Sequence, residues 1–353
     1  MRIPVLALLL PIVGSAQAPV TIRLDAPDAR LNQEFSDLVA LRELADGRLL
    51  LSDRKEERLV VADLTTGQVR DISRKGGGPG EFELFVLKLL PLGGDSTLAA
   101  DMNRWLVLSG DSVVVTLPPD LPAKLAVSLW PLAAGQGRLL SRWVSNADSW
   151  PVSLVSLATG ESEVVGTVRR GNTQGPAARA VRSADGRVAM SVGRVPLDVW
   201  DAPMLFDDGW VAIARVSPYR VEWRSPDGRW TRGAPLPFTR LRMDEREQDA
   251  YAERNPWARG ATQWPDVLPP FDRTELLASP EGMLVIQRLP SASRPETRYD
   301  VVDRSGKLRG EIVLAPNQRI AGFGRRSVYV VETDDDGIQR LSRHPWRFTP
   351  LPG

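Results

Sequence analysis

Short apolar, β-branched runs recur along almost the whole chain, and glycine-containing polar turns join them. Examples are "LADGRLLLSD" (44–53), "DLTTGQVRDI" (63–72), "SADGRVAMSV" (183–192), "FDDGWVAIAR" (206–215), "RSPDGRWTRG" (224–233), "ASPEGMLVIQ" (278–287) and "DRSGKLRGEI" (303–312). Asp-Gly and Ser-Gly pairs supply the positive φ of tight hairpin turns, and the flanking runs have strand composition. The spacing of the turns is informative. Gly47 to Gly67 is 20 residues, Gly209 to Gly228 is 19, and Gly282 to Gly306 is 24. Each interval fits a four-stranded meander, and such a sheet repeated at roughly 40 residues is a propeller blade.

The pattern predicts an all-β fold, a six-bladed β-propeller of four-stranded antiparallel blades. The blades fall at 38–73, 85–117, 126–168, 203–235, 274–314 and 320–348. The last run supplies only three strands, so the N-terminal "PVTIRLD" (19–25) is expected to be the fourth and to close the ring, because an open ring leaves strand edges unpaired. Residues 169–202 hold a further hairpin around Gly186, which leaves seven blades open as an alternative. Helical signal is confined to "RMDEREQDAYAERNPW" (242–257), with Asp244 as a capping residue. That helix lies in an irregular insertion at about 237–273, where no repeat unit fits.

Composition narrows the setting. Residues 1–18, "MRIPVLALLLPIVGSAQA", combine an early cation, an apolar run and a small-residue end, as in a secretory signal peptide. The run is too short to span a bilayer, and residues 19–353 form the expected single domain, exported to the periplasm or outside the cell. The chain has no cysteine, which excludes disulfides, lipid attachment through Cys and thiolate metal sites. Removing residues 1–18 takes away one Arg and no acid, so the formal charge falls from +1 to 0. Dispersed, balanced charge argues against nucleic acid or anionic lipid as the main partner. The single histidine, His344, excludes a His-rich metal centre and, with no Gly-x-Ser-x-Gly motif, leaves serine hydrolase chemistry without support.

One loop is distinctive: "RKGGGPGEF" (74–82) follows the repeat "VVADLTTGQVRDI". With "SPYRVEWRSPDGRWTRG" (217–233), "WPDVLPPF" (264–271) and "RYDVVDRSGKLRGEIVL" (298–314), it resembles bacterial secreted six-bladed β-propeller proteins, of the NHL-repeat-like and TolB-like propeller superfamily. The resemblance covers most of residues 19–353. It implies the fold and a setting in which binding modules, lactonases and lyases all occur, without selecting among them.

The glycine loop is not a phosphate cradle, since neither Lys-Ser/Thr nor a helix follows it. Gly76, Gly77, Gly78, Pro79, Gly80, Glu81 and Phe82 read as a structural passage between blades, with Glu81 accepting loop amides and Phe82 plugging a seam. An anion nest beside Arg74 and Lys75 is the alternative. Carboxylates such as Asp53, Asp101, Asp303 and Asp334-Asp335-Asp336 sit at strand ends and turns, and no calcium-loop spacing occurs. Most of the 11 tryptophans, including Trp105, Trp130, Trp143, Trp200, Trp210, Trp223 and Trp230, fall in or beside strands and read as packing. Tyr251, Arg254, Trp257 and Trp264 differ, because they lie in the insertion and are the candidate residues for ligand or partner binding. The reading is a monomeric, exported, non-enzymatic scaffold that uses one rim to bind a protein, peptide or glycan, with no cofactor. The alternative is a lactonase-like hydrolase or lyase working in the central channel with carboxylate-bound Ca2+.

Overall fold

The computed structural model describes residues 20–101, 104–117, 131–142, 148–171, 195–272 and 276–348, and the backbone of 178–182 and 188–192. The expected signal peptide therefore lies outside the described residues, as do Trp130, Trp143 and the tip of the hairpin at Gly186. Six antiparallel blades form a ring: blade 1 at 38–74, blade 2 at 88–116, blade 3 at 133–169, blade 4 at 202–232 and blade 5 at 276–314 are four-stranded meanders, and blade 6 has three strands at 318–345 with a fourth from the N-terminal segment. The strands Ala178–Arg182 and Val188–Val192 pair only with each other, so the segment after blade 3 is an inserted hairpin and not a seventh blade.

Six apolar clusters fill the six seams between neighbouring blades, and the middle strands explain why. In blade 1, Leu49, Leu51, Val60 and Ala62 face the seam with blade 6, whereas Leu50, Leu59 and Val61 face the seam with blade 2. Successive side chains of a strand point to opposite faces, so a sheet covered on both faces needs apolar residues at every position. The runs "LLL" and "LVVA" are this requirement written in sequence. Among the tryptophans, Trp105, Trp200 and Trp223 are buried in seams as expected. Trp230 is instead exposed on an outer strand, where its ring lies over Gly166 of blade 3.

Ring closure differs from expectation by one short segment. Thr21–Ile22, within the stretch expected to complete blade 6, runs parallel to Glu311 and Ile312 and adds a fifth strand to blade 5. Blade 6 is completed by Ala29–Arg30, antiparallel to Ser342 and Arg343. The apolar side chains decide this. Leu31 and Phe35 fill the seam between blades 6 and 1, beside Tyr329 and Leu341, whereas Ile22 and Leu24 pack in the seam between blades 5 and 6. Backbone bonds from Leu31 to Leu341 and between Phe35 and Gln339 continue the join.

The chain passes from blade 1 to blade 2 through the glycine loop. Glu81 turns back so that Oε2 accepts the Gly78 amide at 2.8 Å, while Oε1 meets Arg74 Nε at 3.2 Å. The loop's own carboxylate thus stands where an external anion would sit in a nest. Gly76 and Phe82 share a backbone bond, and the Phe82 ring is buried between blades 1 and 2. A Cβ on Gly76 would lie 2.1 Å from Glu81 Oε2, whereas one on Gly77 would meet nothing within 4 Å. Gly80 has φ of 78°, a conformation that favours glycine. Arg104 closes the loop from the far side by donating to the carbonyls of Gly78 and Glu81.

Two outcomes follow for this passage. Gly76→Val lowers the melting temperature and Gly77→Val leaves it within error, as differential scanning calorimetry would record; equal losses would remove the distinction. The Gly78 amide, and then Arg74, hold the Glu81 carboxyl below its usual range. A depressed folded value contributes stability above the unfolded carboxylate pKa, and that stability is lost as pH falls through the folded value. Glu81→Gln therefore narrows its gap to the native protein on acidification, which urea melts at neutral and acid pH would show.

Candidate functional site

The chain links that enter each blade's innermost strand lie at one end of the ring, and the turns between first and second strands lie at the other. Among the described residues, the end formed by the links carries the glycine loop and the insertion between blades 4 and 5. Blades 1 and 2 manage short links with a buried aspartate at the end of the second strand. Asp53 accepts the amides of Ser36 and Asp37 at 3.2 and 2.9 Å, and Asp101 those of Glu83 and Leu84 at 2.7 and 3.0 Å. Asp303 and Asp334 serve their own turns, accepting from Ser305 and Lys307 and from Asp336 and Ile338. These carboxylates are occupied by backbone. Among the described residues, no group of three His, Asp or Glu side chains could hold a metal ion.

The insertion is a small folded layer of its own. Helix α1 (Glu245–Arg254) starts where Asp244 accepts the Glu247 amide, and Asn255 ends it. Its start at the Asp244 cap is the one expected within 242–257, and it stops before Pro256, which begins a separate turn of 3-10 helix (Pro256–Ala258). The layer is fastened to blade 5 by polar contacts. Buried Glu247 accepts the Ala292 amide at 2.8 Å, and Arg254 donates to the Pro290 carbonyl at 3.0 Å. Beneath it, Arg288 donates to Asp300 at 2.8 Å and to the Pro270 carbonyl at 2.8 Å, and the Tyr219 hydroxyl donates to Asp300 at 2.6 Å. Burial, and then the Asp300 charge, push the Tyr219 phenol well above its ordinary range. Burial alone would lower Arg288, but Tyr219 and Asp300 outweigh it and hold the guanidinium up.

The four candidate residues divide accordingly. Tyr251 is only 3% exposed, with Trp257 and Trp264 packed edge-on against it, so it braces the wall from inside. Arg254 anchors the helix through Pro290. Trp257 is exposed at 44%, and Trp264 lines an open cleft of about 420 Å3 between α1 and residues 258–261. The other wall of that cleft carries Gln248, Asp249 and Glu253, which the sequence reading left out. Their signal was present, since positions 249 and 253 are one helical turn apart and share a face.

A larger cavity, about 940 Å3, follows the axis of the ring and opens among the first-to-second-strand turns. All six innermost strands contribute to it, with Leu41, Leu89, Leu132, Met204, Leu277 and Phe323 as apolar lining. Sequence reading could not find it, because it is made from six segments spread over the whole chain. His344 lines neither site: it contacts Ser342 and the Asp25 carbonyl, where it holds the N-terminal segment.

No protein-family model matches the chain, and no curated protein matches it. Solved structures do resemble it. They include the calcium-binding protein regucalcin from Agrobacterium tumefaciens strain C58, at 13% identity, 94% of this chain, 98% of that one and a TM-score of 0.39. A streptogramin B lyase is similar at 11% identity, 91% and 86% coverage and a TM-score of 0.42. The WD40 repeats of RRP9 are similar at 14% identity, 94% and 99% coverage and a TM-score of 0.46. These likenesses carry no residue-level correspondence, and the six-bladed architecture rests on the chain's own strand pairing.

Removing Arg288 leaves Asp300 buried with one remaining partner among those described above, and breaking a buried pair costs about 3–5 kcal/mol. Arg288→Met is expected to lower the denaturant midpoint and to speed tryptic cleavage at Arg246, Arg254 and Arg259. Cleavage at the native rate would show that the insertion does not depend on this pair.

Proposed function

We propose that this propeller is an exported, non-enzymatic scaffold whose insertion binds an extended segment of a partner protein that carries a basic side chain. The observation that carries the reading is the cleft beside α1. Asp249 and Glu253 are exposed, lie one helical turn apart, and accept no hydrogen bond among the described residues. Like charges at this spacing repel, and a cation placed between them relieves that cost. Trp264 supplies the apolar wall, with its indole N–H already donated to the Ala261 carbonyl, and exposed Trp257 extends the surface beside it. Tryptophan in a braced setting is the residue type that carries binding energy at interfaces.

Rigidity supports the same reading. The anchors through Glu247, Arg254 and Arg288 order the insertion before any partner arrives, so little conformational entropy is lost on binding. Export rests on residues 1–18; among the described residues, no helix is long and apolar enough to cross a membrane.

Peptide and glycan arrays probed with residues 19–353 test the proposal. Lys- or Arg-containing peptides are expected to bind, and Asp249→Lys with Glu253→Lys abolishes that binding while the melting temperature stays native. Selective binding of neutral glycans, or peptide binding indifferent to the double substitution, would overturn it.

A further inference from the structure

The axial cavity carries a second inference, independent of the insertion. Its volume lies in the range of small-molecule pockets, its walls are apolar, and its charges gather at one mouth. Five carboxylates stand there: Glu43, Asp95, Asp207, Asp208 and Glu281. Three guanidiniums face them, on Arg42, Arg304 and Arg325, while Lys88 lies at the start of its strand, at the far end of the channel. The mouth is thus acidic by two charges.

Almost all of these groups are satisfied by the chain itself. Arg304 pairs with Asp208 at 2.5 Å. Glu43 accepts from the Tyr329 hydroxyl and the Arg325 amide, at 2.5 and 3.2 Å. Glu281 accepts from the Trp346 indole at 3.0 Å, and Asp95 from the Ala45 amide at 2.7 Å. Arg42 donates to the Gly94 carbonyl at 2.7 Å and to the Ser96 carbonyl and Thr97 hydroxyl, and Arg325 donates to the carbonyls of Leu44 and Ala45. Each cation at this mouth is therefore engaged with acceptors of the chain itself.

Asp207 is the exception. Among the described residues it has no hydrogen bond and no ion pair, although it stands at the tip of a rigid hairpin turn in blade 4. Asp207 is exposed at the mouth, yet neighbouring protein desolvates it enough to raise its carboxyl above the usual range; Arg42 partly offsets the rise and Asp208 adds to it. A metal ion fits poorly, because Ca2+ takes six to eight oxygens and Asp207 is a lone free carboxylate. An anion is disfavoured too, because the mouth carries two more carboxylates than guanidiniums.

We propose that the mouth of the axial channel binds a small organic cation, a primary amine with an apolar body, whose ammonium donates to Asp207 while its apolar part lies among Met204, Leu277 and Phe323. The carboxylate then exchanges water for a charge-assisted hydrogen bond, and the apolar part is removed from water.

Isothermal titration calorimetry with 2-phenylethylamine, 2-phenylethanol and 3-phenylpropanoate tests this on residues 19–353. The amine is expected to bind saturably and at least about tenfold more tightly than the alcohol or the acid. Asp207→Asn removes about that factor for the amine and leaves the alcohol unchanged, which also reports that the channel is intact. Should that variant not fold, the Met204 methyl resonance of the native protein gives the answer, since the amine must shift it. No saturable amine binding, a preference for the acid, full affinity in Asp207→Asn, or an unmoved Met204 methyl would each overturn the proposal.

Discussion

Every blade of this protein is apolar on both faces, and that single constraint governs the rest. A sheet with two such faces has no place at a surface, so each blade needs a neighbour on either side. Six blades in a row would still leave two faces exposed to water. The ring must close, and closure hangs on a short join: Ala29–Arg30 beside Ser342 and Arg343, then Leu31 and Phe35 set into the seam between blades 6 and 1. With no cysteine in the chain, hydrogen bonds, buried side chains and ion pairs such as Asp28–Arg343 make that join.

Once the ring is closed, the strands have no freedom left, and variation is pushed to their ends. The residue at the end of the second strand shows how the two halves of the ring differ. In blades 1 and 2 it is an aspartate that gathers the amides of a compact link, as Asp53 and Asp101 do. In blades 4 and 5 it is an arginine that reaches instead for one acceptor in the long link, Asp201 or Pro270, and for an acid on the third strand of its own blade, Glu222 or Asp300. Arg215 takes the Thr167 carbonyl, Asp201 and Glu222, and Arg288 takes the Pro270 carbonyl and Asp300. Amide-rich compact turns call for an acceptor, and carbonyl-rich longer segments call for a donor. The exchange of one residue type lets the same blade carry either a tight passage or a folded layer.

The fold was legible in the sequence because it is local and repeated. Hairpin turns such as those at Gly47 and Gly209, with apolar runs between them, define blades without knowledge of anything distant. The closing strand was placed too early because pairing with blade 6 is decided by side chains hundreds of positions away. "VTIRL" has strand composition, but Leu31 and Phe35 have the fit. The insertion was visible as a break in the repeat, and its aromatics were visible by type. Their division into braces and exposed surface was not, since Tyr251 and Trp257 differ in burial and not in chemistry. The axial channel left no local trace, because each innermost strand contributes only a few of its lining residues.

The join between the two ends of the chain also sets the order in which the molecule can come into being. Synthesis runs from residue 1, so Asp28 waits through 315 further positions for its partner Arg343. Until then blade 1 keeps an uncovered face and the outer edge of blade 6 does not exist. Contacts so distant along the chain form slowly, and the half-made ring is the state most exposed to misassembly. The finished protein is a closed circle, but until its last strands meet its first residues it is an arc with the face of the first blade bare.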